Sequence, residues 1–311
     1  MVTGLEARRK RAFIQSAFSR YLSPHLVKRL IDAQERLELG GEMREMTVMF
    51  CDIRGFAAIA ERFDAKGLTR FINRFLTPMS DVILAESGYI DKYMGDAIMA
   101  FWNAPLDDPT HAERACRAAL AMRAQLVRLN QEWHGEWEAM GQPHADIRIG
   151  IGLNTGTCCV GNLGTDQHYN YSVLGDDVNL ASRLEGQSST YAFDILVGEM
   201  TAAQAPGLAF LELDLIRVKG KTSPVRILAL LGDGSVAVSA SFVALKADHA
   251  AMLAAYRGRH WDEALSLIAA CRAQAPASFH GCYALYERRC LACRTDPPPA
   301  DWDGVFVALT K

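Results

Sequence analysis

No stretch of the 311 residues approaches the ~18 consecutive apolar positions of a membrane-spanning helix. The first residues also lack the apolar centre of a signal peptide. Neither sign of charge dominates: 33 Lys and Arg against 36 Asp and Glu leave a net charge of −3, so nothing global recruits nucleic acid. A disulfide framework is missing as well. Cys158 and Cys159 are adjacent, Cys51 and Cys116 sit inside apolar runs, and the Cys290-x-x-Cys293 pair has no second pair and no nearby histidine pair. That usage fits a reducing cytoplasm, where thiols act as small hydrophobes, and it argues against a metal finger. Disorder is excluded in turn, because 50% of residues are hydrophobic and only 22% charged. The length accommodates one α/β domain of about 150–200 residues with smaller attachments.

Three parts are expected: a helical segment over 1–42, one α/β domain over 43–232, and a helical appendage over 233–311. In the first, Phe13, Ala17, Phe18 and Tyr21 share a helix face, which Leu26, Val27, Leu30 and Ile31 continue after Ser23-Pro24. Gly40-Gly41 is the expected end of that helix. The segment is either an ordinary packed helix or a dimerising, signal-relaying one. The run Arg8-Arg9-Lys10-Arg11 is either a solvated helix start or a basic patch beside a membrane. The appendage reads as a helical hairpin in which Tyr256, Trp261 and Ala264 are faintly tetratricopeptide-like, though about one repeat is too few for a solenoid. Pro297-Pro298-Pro299 marks an irregular tail.

Within the central domain, Thr47–Cys51 reads as a buried strand and 66–86 as an amphipathic helix. Tyr89–Tyr93 and Asp96–Trp102 read as a hairpin about Met94-Gly95, and 110–138 as a long helix. Strands follow at 147–153, 157–160 and 169–174. A helix over 177–187 is expected to be capped by Asp176 or Asp177, before final strands at 208–218 and 225–231.

Four groups of residues carry chemistry. Asp52 stands one residue past a buried strand, in Phe50-Cys51-Asp52-Ile53-Arg54-Gly55-Phe56. A carboxylate there suits a divalent cation, and the amides of the Gly55-Phe56 turn suit phosphate oxygens. Asp96, in Asp91-Lys92-Tyr93-Met94-Gly95-Asp96, comes beside Asp52 if the hairpin pairs with the first strand. Two carboxylates so close repel unless a cation lies between them. In Ser172-Val173-Leu174-Gly175-Asp176-Asp177-Val178-Asn179-Leu180-Ala181-Ser182-Arg183, Asn179 and Arg183 share a helix face, an amide and a guanidinium suited to a sugar and a phosphate. Lys219 and Lys221 flank Gly220 at a strand end, within reach of a triphosphate.

In this order and spacing, the four blocks resemble the catalytic domain of class III adenylate and guanylate cyclases, over about residues 43–231. The resemblance implies a ferredoxin-like fold with a mixed, mainly antiparallel sheet. It implies a homodimer with shared sites that converts ATP to cyclic AMP and pyrophosphate for intracellular signalling. Asp52, Asp96 and the carbonyl of Ile53 would hold two Mg2+ or Mn2+ ions. Lys92 and Ser172 would read adenine, since guanylate cyclases typically carry glutamate and cysteine at those positions. Asn179 would orient the ribose, Arg183 would stabilise the transition state, and Lys219 would bind the triphosphate. The segment Phe18-Ser19-Arg20-Tyr21-Leu22-Ser23-Pro24 resembles the linker after a membrane-anchored sensor, which implies a cytoplasmic domain, free or held at the inner face of the plasma membrane.

Overall fold

The computed structural model of this chain describes residues 39–139, 146–218 and 224–308. The apolar run Thr47–Cys51 lies inside a longer strand, β1 (Gly40–Ile53). The other strands are β2 (Tyr89–Met94), β3 (Ala97–Trp102), β4 (Ile149–Thr165), β5 (His168–Leu174), β6 (Ile195–Gly198), β7 (Ala209–Val218), β8 (Val225–Gly232) and β9 (Phe306–Ala308). They form one sheet in the order β2-β3-β1-β4-β6-β8-β7-β9, with β5 paired to the far half of β4. Among the described residues, only the β4–β6 and β7–β9 pairs are parallel. This is the mixed, mainly antiparallel ferredoxin-like plan, with added strands.

The helices are α1 (Phe56–Ala60), α2 (Ala65–Ala85), α3 (His111–Ala139), α4 (Asp176–Tyr191), α5 (Glu199–Ala203), α6 (Gly234–Ala237), α7 (Ala240–Arg257), α8 (Trp261–Gln274) and α9 (His280–Thr295). Side chains of β1 alternate between two cores. Met49, Cys51 and Ile53 pack with Phe71, Phe75 and Met79 of α2 and Ala119 and Met122 of α3. Met46 and Val48 pack on the other side with Val173 of β5 and Val178 and Ala181 of α4. Asp52 belongs to this second series, on the α4 side.

Several local expectations are revised. Gly40 opens β1 instead of ending a helix, so the boundary expected at 42/43 falls inside a strand. Asp52 lies within β1, not beyond it. The hairpin turn is Gly95-Asp96, because Met94 already pairs with Ala97; Gly95 takes φ 70, which favours glycine. The two strands expected over 147–160 are one, since Asn154, Thr155 and Gly156 keep pairing with Val48, Thr47 and Met46. The N-cap of α4 is Gly175; Asp176 and Asp177 fill the first turn, where negative charge complements the helix dipole. The segment expected as a helix over 11–39 lies outside the described residues, apart from Leu39. Among the described residues, no helix is long and apolar enough to cross a membrane.

The appendage packs on the sheet. The α7–α8 pair is extended by α9, and the segment after the proline run returns to the sheet as β9. Leu211, Leu213 and Ile216 of β7 and Leu184 and Tyr191 of α4 share a core with Leu245, Met252, Ile268 and Tyr286. A buried polar link crosses it: Asp214 of β7 accepts hydrogen bonds from Tyr191 of α4 and Arg289 of α9, each at 2.6 Å. His249 of α7 is also buried. Its Nε2 donates to the Glu212 carbonyl at 2.8 Å, and its Nδ1 lies 3.3 Å from the Tyr283 hydroxyl. Burial pushes the imidazole down to about 4.

A histidine depressed in the fold contributes stability above its unfolded value of about 6.5 and loses it as pH falls toward about 4. Unfolding by urea at pH 7 and pH 5 is expected to show a loss of about 2 kcal/mol from this group. His249→Phe should lack that part of the acid loss. An identical pH slope in the variant would show that His249 is not its source.

Candidate active site

The register Cys51↔Ile98 carries the Gly95-Asp96 turn to the end of β1. There the Ile53 amide donates to Asp52 Oδ1 at 2.9 Å and to Asp96 Oδ2 at 3.3 Å. One backbone N–H thus holds both carboxylates. Burial, followed by the hydrogen bond and charge of Asp52, pushes Asp96 up to about 7. A third carboxylate approaches from α4. Asp52 pairs with Gly150 across the β1–β4 ladder, and a Cβ on Gly150 would lie 2.6 Å from Glu185 Oε1. A Cβ on Gly152 would stand 2.2 Å from the Glu185 amide nitrogen, so only glycine admits the helix this close. Burial first, then the charge of Asp52, raises Glu185 to about 7 as well, against the opposing pull of Arg54.

The donor set fits small divalent cations. Among the described residues, no three His, Cys, Asp or Glu side chains converge tightly enough to enclose a metal. Two adjacent carboxylates leave most coordination positions to other oxygens and water, as Mg2+ and Mn2+ prefer. The repulsion that raises Asp96 is what such an ion would relieve.

A second group forms on the edge of β2. The strand bulges between Ile90 and Lys92, and the extra residue is Asp91. A bulge re-aims a side chain, and the carboxyl of Asp91 is 1% exposed whereas Lys92 is 47% exposed. Ser172 of β5 donates its hydroxyl proton to Asp91 Oδ2 at 2.7 Å, and Lys92 Nζ stands 3.7 Å from Oδ1. Burial raises Asp91, with the Ser172 hydrogen bond and the Lys92 charge pulling the other way.

Asn179 is exposed and Arg183 half-buried on α4. At about 100° per residue, both lie about 120–160° around the helix from Glu185. They face away from the carboxylates of their own chain. Gly55, at φ 68, turns the chain into α1, where Phe56 is half-buried against the main core. Lys219 lies outside the described residues. The structure therefore joins Asp52 with Asp96, brings Lys92 and Ser172 to the same carboxyl of Asp91, and turns Asn179 and Arg183 away from the first pair. Sequence reasoning missed Asp91 and Glu185. Strict strand alternation hides a bulged residue. For Glu185 the available signal was Ile149-Gly150-Ile151-Gly152, whose glycines mark a close helix approach.

Comparison with known proteins places the domain in a family. The profile of adenylate and guanylate cyclase catalytic domains matches residues 41–230. Adenylate cyclase 1 of Rhizobium meliloti is 32% identical over 216 residues, 69% of this chain and 32% of that protein. An adenylate cyclase of Anabaena cylindrica is 35% identical over 198 residues, 62% of this chain and 38% of that protein. The chain thus spans about a third of the length of these curated relatives. Among solved structures, the adenylyl cyclase CyaB from P. aeruginosa is 34% identical with a TM-score of 0.56, covering 63% of this chain and 97% of its own. The guanylyl cyclase Cya2 is 30% identical with a TM-score of 0.55, covering 63% and 96%.

The carboxylate pair gives a measurable signature. Asp96 binds its proton more tightly folded than unfolded, so its contribution is fully present below about pH 4 and is lost as pH rises through about 7. By scanning calorimetry at pH 8 without metal, Asp96→Asn is expected to melt higher than the parent. Millimolar Mn2+ should raise the melting temperature of the parent by roughly 3–6 °C and leave Asp96→Asn unmoved. An equal Mn2+ response in the variant would remove Asp96 from the ion site.

Proposed function

The chain belongs to the adenylate and guanylate cyclase catalytic-domain family, and on that premise we propose that it converts ATP to 3′,5′-cyclic AMP and pyrophosphate in sites shared by two copies of the chain. The observation that carries the choice of ATP is the Lys92–Ser172 pair. It offers an ammonium donor toward adenine N1 and a hydroxyl oxygen toward the adenine amino group. The alternative, guanine, would be matched by an acidic residue at position 92.

The two faces of α4 support sharing. Glu185 lies against the carboxylates of its own chain, and Asn179 and Arg183 turn away from them. A second copy docked head to tail would supply Asn179 and Arg183, with Lys92 and Ser172, opposite Asp52 and Asp96. A monomer would hold two half-sites.

In the closed site, Lys92 and Ser172 would fix the base and Asn179 the ribose. The amides of Gly55 and Phe56, with Lys219, would hold triphosphate oxygens. The ribose 3′-oxygen attacks the α-phosphorus as the bond to pyrophosphate breaks, and the hydroxyl proton leaves to water. Arg183 meets the charge that grows on the α-phosphate, an interaction stronger in the transition state than in the ground state. Asp52, Asp96 and the Ile53 carbonyl would hold two Mg2+ or Mn2+ ions, which when bound acidify the 3′-hydroxyl and neutralise the leaving pyrophosphate. We place the domain in the cytoplasm, in a signalling role; its eight free cysteines suit a reducing medium. The segment before β1 is the one through which an upstream membrane-anchored sensor would act.

Incubation with ATP or GTP and Mg2+ or Mn2+, read by chromatography and mass spectrometry, should yield cyclic AMP, with specific activity rising with protein concentration. Asp52→Ala and Arg183→Ala should each be inactive alone. Mixed in equal amounts they should recover about a quarter of the parental activity, because half the dimers are mixed and one of their two sites is intact. No recovery, with mixed dimers demonstrated by native mass spectrometry, would refute shared sites.

A further inference from the structure

We propose that Asp91 sets the purine preference of the site by fixing the direction of the Ser172 hydroxyl. The inference rests on the reading of Lys92 and Ser172 as the base-reading pair, and it adds a positioning residue behind them.

A serine hydroxyl has one proton and two lone pairs, and a free one rotates to suit its partner. Unrestrained, Ser172 would accept from the amino group of adenine or donate to the C6 carbonyl of guanine with equal ease. It is not unrestrained. Its proton is given to Asp91 Oδ2 at 2.7 Å. The receiving carboxyl is 1% exposed, so water does not compete for that proton. Tyr89 and Tyr171, the neighbours of this pair in β2 and β5, meet edge-on with ring centroids 5.6 Å apart and hold the two strands together there. With its proton committed inward, Ser172 presents only lone pairs outward. An acceptor-only group pairs with the amino group of adenine and opposes the carbonyl oxygen of guanine.

The bulge makes this possible. It inserts Asp91 between Ile90 and Lys92, so neighbouring residues serve opposite ends: Asp91 turns inward under Ser172, and Lys92 stays half exposed. Lys92 Nζ pairs with Asp91 Oδ1 only loosely, at 3.7 Å, beyond hydrogen-bond distance, and stays half exposed. The Oδ1 atom itself is buried without a hydrogen-bond partner. Beside that loose ion pair, the short hydrogen bond of Asp91 is the one to Ser172.

The test is the ratio of kcat/KM for ATP over GTP in the full chain. Asp91→Asn keeps the shape but lets the amide donate to the Ser172 oxygen, which frees the hydroxyl proton to face the ligand. The ratio is expected to fall on the order of tenfold, the worth of one charge-assisted hydrogen bond, with a melting temperature near the parent's. In the Ser172→Ala background, Asp91→Asn should change the ratio by less than about twofold, because no hydroxyl remains to be turned. Ser172→Thr keeps a hydroxyl and should show the full effect of Asp91→Asn, which covers the case of an alanine variant that fails to fold. A parent that prefers ATP while folded Asp91→Asn keeps the same ratio would overturn the role of Asp91 alone. So would a full-sized effect that persists in Ser172→Ala. A parent that makes no cyclic nucleotide, or makes both equally, would overturn the ATP reading and this inference with it.

Discussion

Strand β1 is clamped on both edges, to β3 through Thr47–Cys51 and to β4 along its whole length. Its register is dictated by burial. A slip of one residue would send Met49, Cys51 and Ile53 out of the α2–α3 core and bring Asp52 into it. The correct register does three things together. It sets Asp52 opposite Gly150, carries Asp96 to the Ile53 amide, and leaves the α4 side of the sheet for the carboxylates. The placement of the charged groups is thus a by-product of apolar packing several residues away.

Helix α4 is the second constraint, and it works through what is missing from β4. The bare backbone at Gly150 and Gly152 lets the helix lie almost on the sheet. That contact fixes the helix rotation, so Glu185 faces the carboxylates and Asn179 and Arg183 face out. The far end of α4 is tied down by Tyr191, whose hydroxyl shares Asp214 with Arg289 of the appendage. A buried ion pair of this kind adds little net stability compared with an apolar filling, yet removing one partner strands the other charge. The contact ties α9 to β7 and α4 at one buried point. The appendage is in this way a brace on the helix that carries the outward-facing pair.

The parts legible in the sequence were those written in patterns of period two or 3.6. The strands around Asp52 and Asp96, the helices over 65–85 and 111–139, and the shared face of Asn179 and Arg183 all follow from such patterns. What escaped depends on departures from them. Asp91 sits in a bulge, where alternation assigns the wrong face. Glu185 matters because two glycines on another strand admit it, a tertiary fact that no local window contains. β6 has four residues, too few to distinguish from the end of the preceding helix by pattern alone. Gly175 displaced two good capping residues because β5 hands the chain to α4 through a backbone at φ 156, which glycine tolerates and aspartate does not.

The same low-dielectric setting has opposite effects at the two ends of the domain. Around His249, burial excludes charge and the group stays neutral with its hydrogen bonds made, so the fold keeps this contribution above about pH 6.5 and loses it as pH falls toward about 4. Around Asp96 and Glu185, burial and the neighbouring charge of Asp52 push both carboxyls up to about 7, so the fold resists their ionised forms. The Ile53 amide pulls Asp96 the other way and the Arg54 charge pulls Glu185 the other way, without cancelling the rise. A ligand that bound this cluster only in the folded state would add its binding free energy to the stability of this end of the sheet. The rigid β1–β4 ladder and the braced α4 are what allow that unfavourable cluster to persist without local unfolding. A looser scaffold would separate the carboxylates and lose the site.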